Sequence, residues 1–206
     1  MRDLQRTQKR EGLHRNEHAQ DCQTARFHHC LVFTSLLPPL NRADLQPVYQ
    51  CLGDNLAMDA LNWDDPAVQE HWCDECRRTV TEYLAKENVD HGEVGSWPAW
   101  HVAPYVSIWA VESLLAPGYV GWWVICGDLP TNYLSAATIK HPRKAMLAFA
   151  DTWKQVAECM VKGVPHPSIR IGPTAQNPEL ASLLEKRSDV LRQFAQNDSL
   201  WGAEYD

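Results

Sequence analysis

The sequence predicts an α+β domain in which three main helices pack on a small, mainly antiparallel sheet centred on one hairpin. Three segments begin with a capping residue followed by proline and continue with apolar residues at helical spacing. Residues 97–130, between the first two of these segments, are rich in Val, Ile, Trp and Tyr, which is typical of strands. The composition, 45% hydrophobic and 22% charged, is that of an ordinary folded domain.

Each predicted helix has its own start signal and its own apolar face. The first begins at Asp-Asp-Pro (64–66) and ends near Asn88, the second spans 141–163, and the third begins at 177–179. Apolar residues recur at steps typical of one helix face. They are Val68, Trp72, Cys76, Tyr83 and Leu84 in the first helix, Met146, Phe149, Trp153, Val156 and Met160 in the second, and Leu180, Leu183, Leu184, Leu191 and Phe194 in the third.

The predicted sheet is built around two strands that are apolar on both alternating faces, residues 102–111 and 119–126. Residues 114–118 join them with the length and the Pro-Gly chemistry of a hairpin loop. Residues 168–171 would supply a short third strand, and residues 133–139 fit a strand or a loop equally well. The tryptophans at 109, 122, 123 and 153 lie on these strands or on the second helix, so we expect them in the core.

The chain changes character near Met58. The first 57 residues contain no tryptophan and no sustained helical or strand period, and charges balance over residues 1–60, so the net charge of -7 lies downstream. We expect residues 1–57 to form a poorly ordered extension, arising either from a mis-called start codon or from a genuine flexible arm. Residues 58–206 are predicted to fold as one α+β domain.

Composition excludes several classes of function. An acidic chain with a pI near 5.7 lacks the cationic surface that nucleic acids require. The one apolar run near the N-terminus, residues 31–37, is too short for a membrane span and does not resemble a secretion signal. Seven scattered cysteines, an odd number, indicate reduced thiols and a cytoplasmic protein. We expect neither nucleic acid nor membrane among its partners, and the sequence leaves its oligomeric state open.

Cys73-Asp74-Glu75-Cys76, preceded by His71, is the one motif that suggests a metal or thiol-redox site. No second pair of ligands with metal-site spacing exists, and Cys73 lies about two turns inside the first helix rather than at its N-terminus. We therefore favour buried thiols over zinc or redox chemistry, and we predict no metal and no cofactor.

The two ends of the predicted hairpin strands carry the candidate site residues. His101 lies near the start of the first strand and Asp128 just past the second, so both fall at the open end of an antiparallel hairpin. A His-carboxylate pair there would suit general acid/base catalysis, with Arg143 as an anion contact. The alternative is that His101 hydrogen-bonds near the core and Asp128 caps a turn, and we favour it because no nucleophile motif or phosphate loop accompanies the pair. Trp97 and Trp100 flank Pro98 in a loop, where their rings would serve as a lid or as partner anchors.

Three stretches of the sequence carry a family resemblance. They are WPAWHVAPY at 97–105, GWWVICGDLP at 121–130 and HPR at 141–143. In these stretches the chain resembles a bacterial family of short proteins known as domain of unknown function 4826. The resemblance covers about residues 63–201 and leaves residues 1–57 outside. It implies no particular activity.

Two functional hypotheses follow from these residues. The first is a small acidic protein-binding or accessory module that uses a tryptophan-bearing surface formed by Trp97, Trp100, His101, Asp128 and Arg143. The second is a small hydrolase or transferase that uses the His101/Asp128 pair. An enzyme would have a concave pocket in which the histidine and the carboxylate converge, whereas a binding module would have an exposed aromatic patch.

Overall fold

The computed structural model describes residues 61–167, Ile169 and residues 177–201. Its elements follow in the order α1 (Pro66–Lys86), β1 (Trp100–Val102), β2 (Val106–Glu112), β3 (Val120–Gly127), β4 (Asn132–Ser135), α2 (Pro142–Lys162), α3 (Pro178–Gln196) and a 3-10 turn (Asp198–Leu200). Three helices and an antiparallel sheet confirm the predicted α+β class. The N-terminal extension predicted over residues 1–57 lies outside the described residues, as does nearly all of the strand predicted over 168–171.

All three helices begin as their sequences predict, with a side-chain cap and a proline in the first turn. Asp65 accepts the Ala67 N–H at 2.9 Å, and Asn177 accepts the Leu180 N–H at 3.0 Å. In α2 the cap is His141, whose Nδ1 accepts an N–H from the backbone of the second helical residue at 3.2 Å. These local bonds fix the helix starts because they satisfy donors that the helix itself leaves unpaired.

The sheet is an antiparallel meander in the order β1-β2-β3-β4. The predicted hairpin is present as β2 and β3, which pair from Val106↔Gly127 to Glu112↔Val120. The single strand predicted over residues 102–111 is wrong, because the chain reverses at 103–105 through a cis Ala103–Pro104 bond and splits it into β1 and β2. Within the segment that fitted a strand or a loop, β4 ends at Ser135 and a loop follows.

Helices cover both faces of the sheet, which explains why its strands are apolar on both sides. On one face α2 packs against β2 and β3, and α3 packs on α2. On the other face α1 packs against a second apolar cluster that includes Trp109, Val111 and Val124. The α2 stripe is buried from Met146 to Val156 as predicted. In α3, Leu183 departs from its predicted core role with 40% of its surface exposed, because the buried face there runs through Leu184.

The loop between α1 and β1 is tied to both of its neighbours. The Arg77 guanidinium donates to the backbone oxygens of Val94 and Gly95 at 3.1 and 2.9 Å. Val94 also forms an isolated antiparallel bridge with Val111. These bonds tie the middle of α1 and the end of β2 to the same loop. Within the part of the chain that the structure describes, none of the helices has the length and apolar character needed to cross a membrane.

Candidate functional site

Trp100, predicted as a surface anchor, is a core residue with no exposed surface. Its side chain points to the face covered by α2 and α3, where its indole N–H donates to the Leu200 carbonyl at 3.0 Å. Its ring stacks on Trp201 and meets Phe194 edge-on. The prediction of a surface role fails because Trp100 is the first residue of β1, and strand alternation sends its ring inward.

His101 points to the opposite face of the sheet, towards α1. Its ring lies against Trp72 and Trp97, with centroid distances of 6.3 and 5.5 Å. His101 Nε2 lies 3.4 Å from Gln69 Oε1, and the other end of that amide donates to the Trp63 carbonyl at 2.8 Å. The amide is therefore oriented to accept from Nε2, which leaves His101 Nδ1 as a buried nitrogen without a hydrogen-bond partner among the residues that the structure describes.

Burial lowers the pKa of His101 to about 4, so the ring is neutral near neutral pH. A neutral ring with an unpaired Nδ1 has the protonation state of a general base. General base chemistry also needs a reacting group within hydrogen-bond distance of this nitrogen. The structure places neither Asp128 nor Arg143 within that distance of His101.

Asp128 does not meet His101. Strand β2 lies between them, because His101 pairs with Ser107 on one side of β2 and Gly127 pairs with Val106 on the other. The Asp128 backbone N–H donates to the Tyr105 carbonyl at 2.9 Å, which anchors the turn after β3. The two residues share an end of the sheet, but they do not form the His-carboxylate pair that the catalytic hypothesis requires.

Arg143 serves the packing of α3 rather than an anion site. Its Nε donates to the Ala195 carbonyl at 2.7 Å, and a terminal nitrogen pairs with the Asp198 carboxylate. Its guanidinium carbon lies 5.8 Å from the Trp201 ring centroid.

Trp97, the last of the predicted surface residues, is half-buried and packs edge-on against His101. Trp97 thus lies with His101, whereas Trp100 and Arg143 both contact Trp201 on the other side of the sheet. Asp128 lies apart from both pairs in the turn after β3, so the five predicted residues form no single surface.

The Cys73 and Cys76 thiols are buried on the inner face of α1, as we favoured. Burial and the neighbouring Asp74 carboxylate raise the pKa of Cys73 to about 12. A hydrogen bond with Cys126 of β3, together with burial, raises the pKa of Cys76. Both cysteines are therefore protonated near neutral pH, the form that binds metals and attacks electrophiles poorly.

A groove that the sequence did not reveal lies at the closed end of the hairpin. It has a volume of about 640 Å³ and is bounded by the segment that follows α1 (87–90), the hairpin loop with the start of β3 (113–122) and the β4 side (133–137). We call it the hairpin groove. Neither His101 nor Asp128 belongs to its lining. Its volume falls within the range of ordinary binding sites.

Two aromatic residues form the wall of the hairpin groove. Trp122 and Tyr133 meet edge-on with ring centroids 5.5 Å apart, and Tyr83 of α1 packs edge-on against Tyr133. Trp122 was predicted in the core, but it is half-exposed because it lies near the end of α1 rather than beneath it. Its indole N–H donates to the Asp90 carbonyl at 3.2 Å, which ties the wall to the end of the helix.

The C-terminal cap of α1 places two carboxylates at the edge of the hairpin groove. Asn88 adopts a left-handed conformation with φ 54°, and Val89 N–H returns to the Leu84 carbonyl at 3.0 Å. This turn directs the chain across the end of the helix, so that Glu87 and Asp90 both line the groove. No lysine or arginine occurs among the lining residues that the structure describes.

The hairpin loop is held in one shape by its own hydrogen bonds. Glu112 Oε1 accepts the Gly118 N–H at 2.6 Å, and Ser113 Oγ accepts the Ala116 N–H at 3.2 Å. Gly118 has φ 84°, a conformation that favours glycine. The loop thereby exposes 58% of Leu114 and 97% of Leu115. The signal was present in the sequence, because two consecutive leucines are unusual in a loop that otherwise contains turn residues.

Comparison with known proteins gives a family but no activity. No curated protein and no solved structure matches the chain. The family model of domain of unknown function DUF4826 matches residues 66–201, which is more than half of the chain and includes every element described above. This chain therefore belongs to the DUF4826 family.

Proposed function

We propose that this protein is a protein-binding module and that its hairpin groove holds an apolar segment of a partner protein. One observation carries the proposal: Leu114 and Leu115 are displayed at the edge of a groove whose wall is formed by Trp122 and Tyr133. Single exposed apolar residues are common on proteins, but adjacent ones beside an aromatic groove are typical of interaction sites.

The energetics of the hairpin groove favour association with another protein. Burying one leucine side chain contributes about 1.5–3 kcal/mol, and Leu115 is almost fully exposed in the free chain. Because the loop is already held by the Glu112 and Ser113 bonds, little conformational entropy is lost when a partner orders it. Trp and Tyr in the wall are residue types that contribute strongly at interfaces.

The chemistry of the lining also supports binding over catalysis. The described lining contains no histidine or cysteine, and the two serine hydroxyls each accept a backbone N–H within their own turn. The acidic edge disfavours a nucleic acid. We further propose a cytoplasmic location. Its support is the odd number of cysteines and the absence of a disulfide among the described cysteines, which are Cys73, Cys76, Cys126 and Cys159.

Selection from a peptide display library on the immobilised full chain tests the proposal. The affinity of the enriched peptides is then measured by fluorescence polarisation for wild type and for Leu115→Asp. Because Leu115 supplies buried apolar area, we expect Leu115→Asp to weaken binding about tenfold or more. Leu183→Asp is the matched control, since Leu183 is exposed on α3 and lies outside the hairpin groove. Failure to enrich any peptide, or equal binding by Leu115→Asp, would contradict the proposal.

A further inference from the structure

The charges of the hairpin groove are all of one sign. Glu87 and Asp90 are exposed, and neither carboxylate forms an ion pair with another described residue. Other acidic side chains do have basic partners, as Asp151 does with Arg192 at 2.6 Å. The groove therefore presents two negative charges that the described part of the chain does not neutralise.

The end of α1 adds to this negative field. The C-terminal end of an α-helix carries a partial negative charge, and it favours a cation within about one turn. Burial, and after it the Glu87 charge, raise the pKa of Tyr83 to about 12. Tyr83 in turn packs against Tyr133 of the groove wall.

The aromatic wall lies next to the carboxylates. The Asp90 backbone carbonyl accepts a hydrogen bond from the Trp122 indole N–H at 3.2 Å, so the half-exposed Trp122 ring and Asp90 are held together. A cation beside them would meet a carboxylate and an aromatic ring at once, which is the combination that best recognises lysine and arginine.

We infer that the segment bound in the hairpin groove carries a lysine or arginine next to its apolar side chain, and that Glu87 and Asp90 hold this cation. The inference rests on the proposed function and deepens it. The occupant is a basic-apolar segment of a partner protein. A second copy of this chain and the chain's own residues 1–57 are competing occupants that the experiment below separates.

The test uses synthetic peptide libraries of about twelve residues on the full chain. All peptides share a fixed central leucine, which is flanked by lysine in one library, by glutamate in the second and by alanine in the third. We expect the lysine library to bind about fivefold or more tighter than the glutamate library at low salt. That preference should shrink as the salt concentration rises, because screening weakens exposed charge pairs.

Charge variants locate the preference. Glu87→Gln with Asp90→Asn should reduce the preference for lysine, and Glu87→Lys with Asp90→Lys should reverse it. Glu70→Lys with Glu82→Lys is the matched control, because it makes the same change in net charge on exposed α1 positions outside the groove. A preference that follows net charge alone would be altered equally by both double lysine variants, and that result would overturn the inference.

The outcomes distinguish the two proposals. If all three libraries bind equally and Leu115→Asp abolishes binding, the apolar groove is a protein site and the cation inference is wrong. If no library binds, both the proposed function and the cation inference are wrong.

Sedimentation of the full chain identifies a self-associating occupant, since a dimer dissociated by Leu115→Asp would replace the partner segment by a second copy. A chain beginning at Met58 that binds the lysine library much more tightly than the full chain would identify residues 1–57 as the occupant.

Discussion

The indole rings of Trp100 and Trp201 lie stacked, with centroids 4.8 Å apart and planes within 13° of parallel. This contact joins the first strand of the sheet to the last described residue, 101 positions further along the chain. Each ring also donates a buried hydrogen bond, from Trp100 to Leu200 and from Trp201 to Phe194. The pair closes the core around the C-terminal end of α3.

We predict that Trp100→Ala lowers the free energy of unfolding by about 3–5 kcal/mol, because it removes a fully buried ring and its hydrogen bond. A double-mutant cycle with Trp201→Ala should give a coupling energy of about 0.5–1.5 kcal/mol for the stacked pair. Urea denaturation measures both values. A change below 1 kcal/mol for Trp100→Ala, about the scale of a surface substitution, would restore Trp100 as a surface residue.

We expect the Arg143 side chain to contribute more to the stability of the fold than its ion-pair partner Asp198 does. We expect Arg143→Gln to cost about 1–3 kcal/mol, because the Ala195 carbonyl loses a charged donor. Asp198 is 84% exposed, so Asp198→Asn should cost no more than about 1 kcal/mol. Thermal melts of the two variants give the comparison. Equal losses would show that the ion pair, not the carbonyl bond, stabilises this junction.

Stability should fall in mild acid because of His101. Its pKa is about 4 in the folded state and near 6.5 when unfolded, so the unfolded chain binds the proton more readily between these values. The contribution of the neutral His101 ring to the free energy of unfolding is fully present above pH 6.5. It decreases as the pH falls towards 4, by up to about 3 kcal/mol. The slope of the unfolding free energy against pH should therefore differ between wild type and His101→Gln over this range.

Leu183→Gln provides the control for this pH dependence, because it changes an exposed side chain that does not titrate. It should leave the slope as in wild type. His141, whose pKa burial and the neighbouring Lys144 and Arg143 also lower to about 4, keeps part of the slope in every one of these variants. A His101→Gln protein with the wild-type slope would contradict the burial of a neutral ring.

The α1 thiols should be unreactive in the folded protein. At about pH 8, iodoacetamide should modify Cys73 and Cys76 only after denaturation, since both are buried and Cys73 has its pKa raised to about 12. Peptide mapping by mass spectrometry reads out each position, with half-exposed Cys159 as the internal comparison. Rapid labelling in the native state, or bound zinc that disappears on Cys76→Ser, would instead indicate a functional thiol pair.

Residues 1–57 should be dispensable for folding. A chain that begins at Met58 retains all residues matched by the family model and every element described here. We expect it to melt within a few degrees of the full chain. Loss of folded protein on this truncation, measured by circular dichroism, would show that the first 57 residues contribute to the core.

The sequence alone was sufficient for features that depend on neighbouring residues. Each helix start was predictable because a cap and a proline act within one turn, as at Asp65 and Asn177. The β2–β3 hairpin was predictable for the same reason, since its loop chemistry lies between two apolar runs. The buried α2 stripe followed from helical spacing.

Tertiary structure decided which faces are covered and which residues meet. Trp100, predicted in a loop, is buried because it begins β1 and its ring points inward. Trp122 is half-exposed against expectation, because strands apolar on both sides do not show where a covering helix ends. His101 and Asp128 are separated because β1 folds back and places β2 between them. The hairpin groove combines residues 87–90, 113–122 and 133–137, which only the sheet order and the turn at Asn88 bring together. Sites of this kind arise from long-range packing, for which local spacing carries no signal.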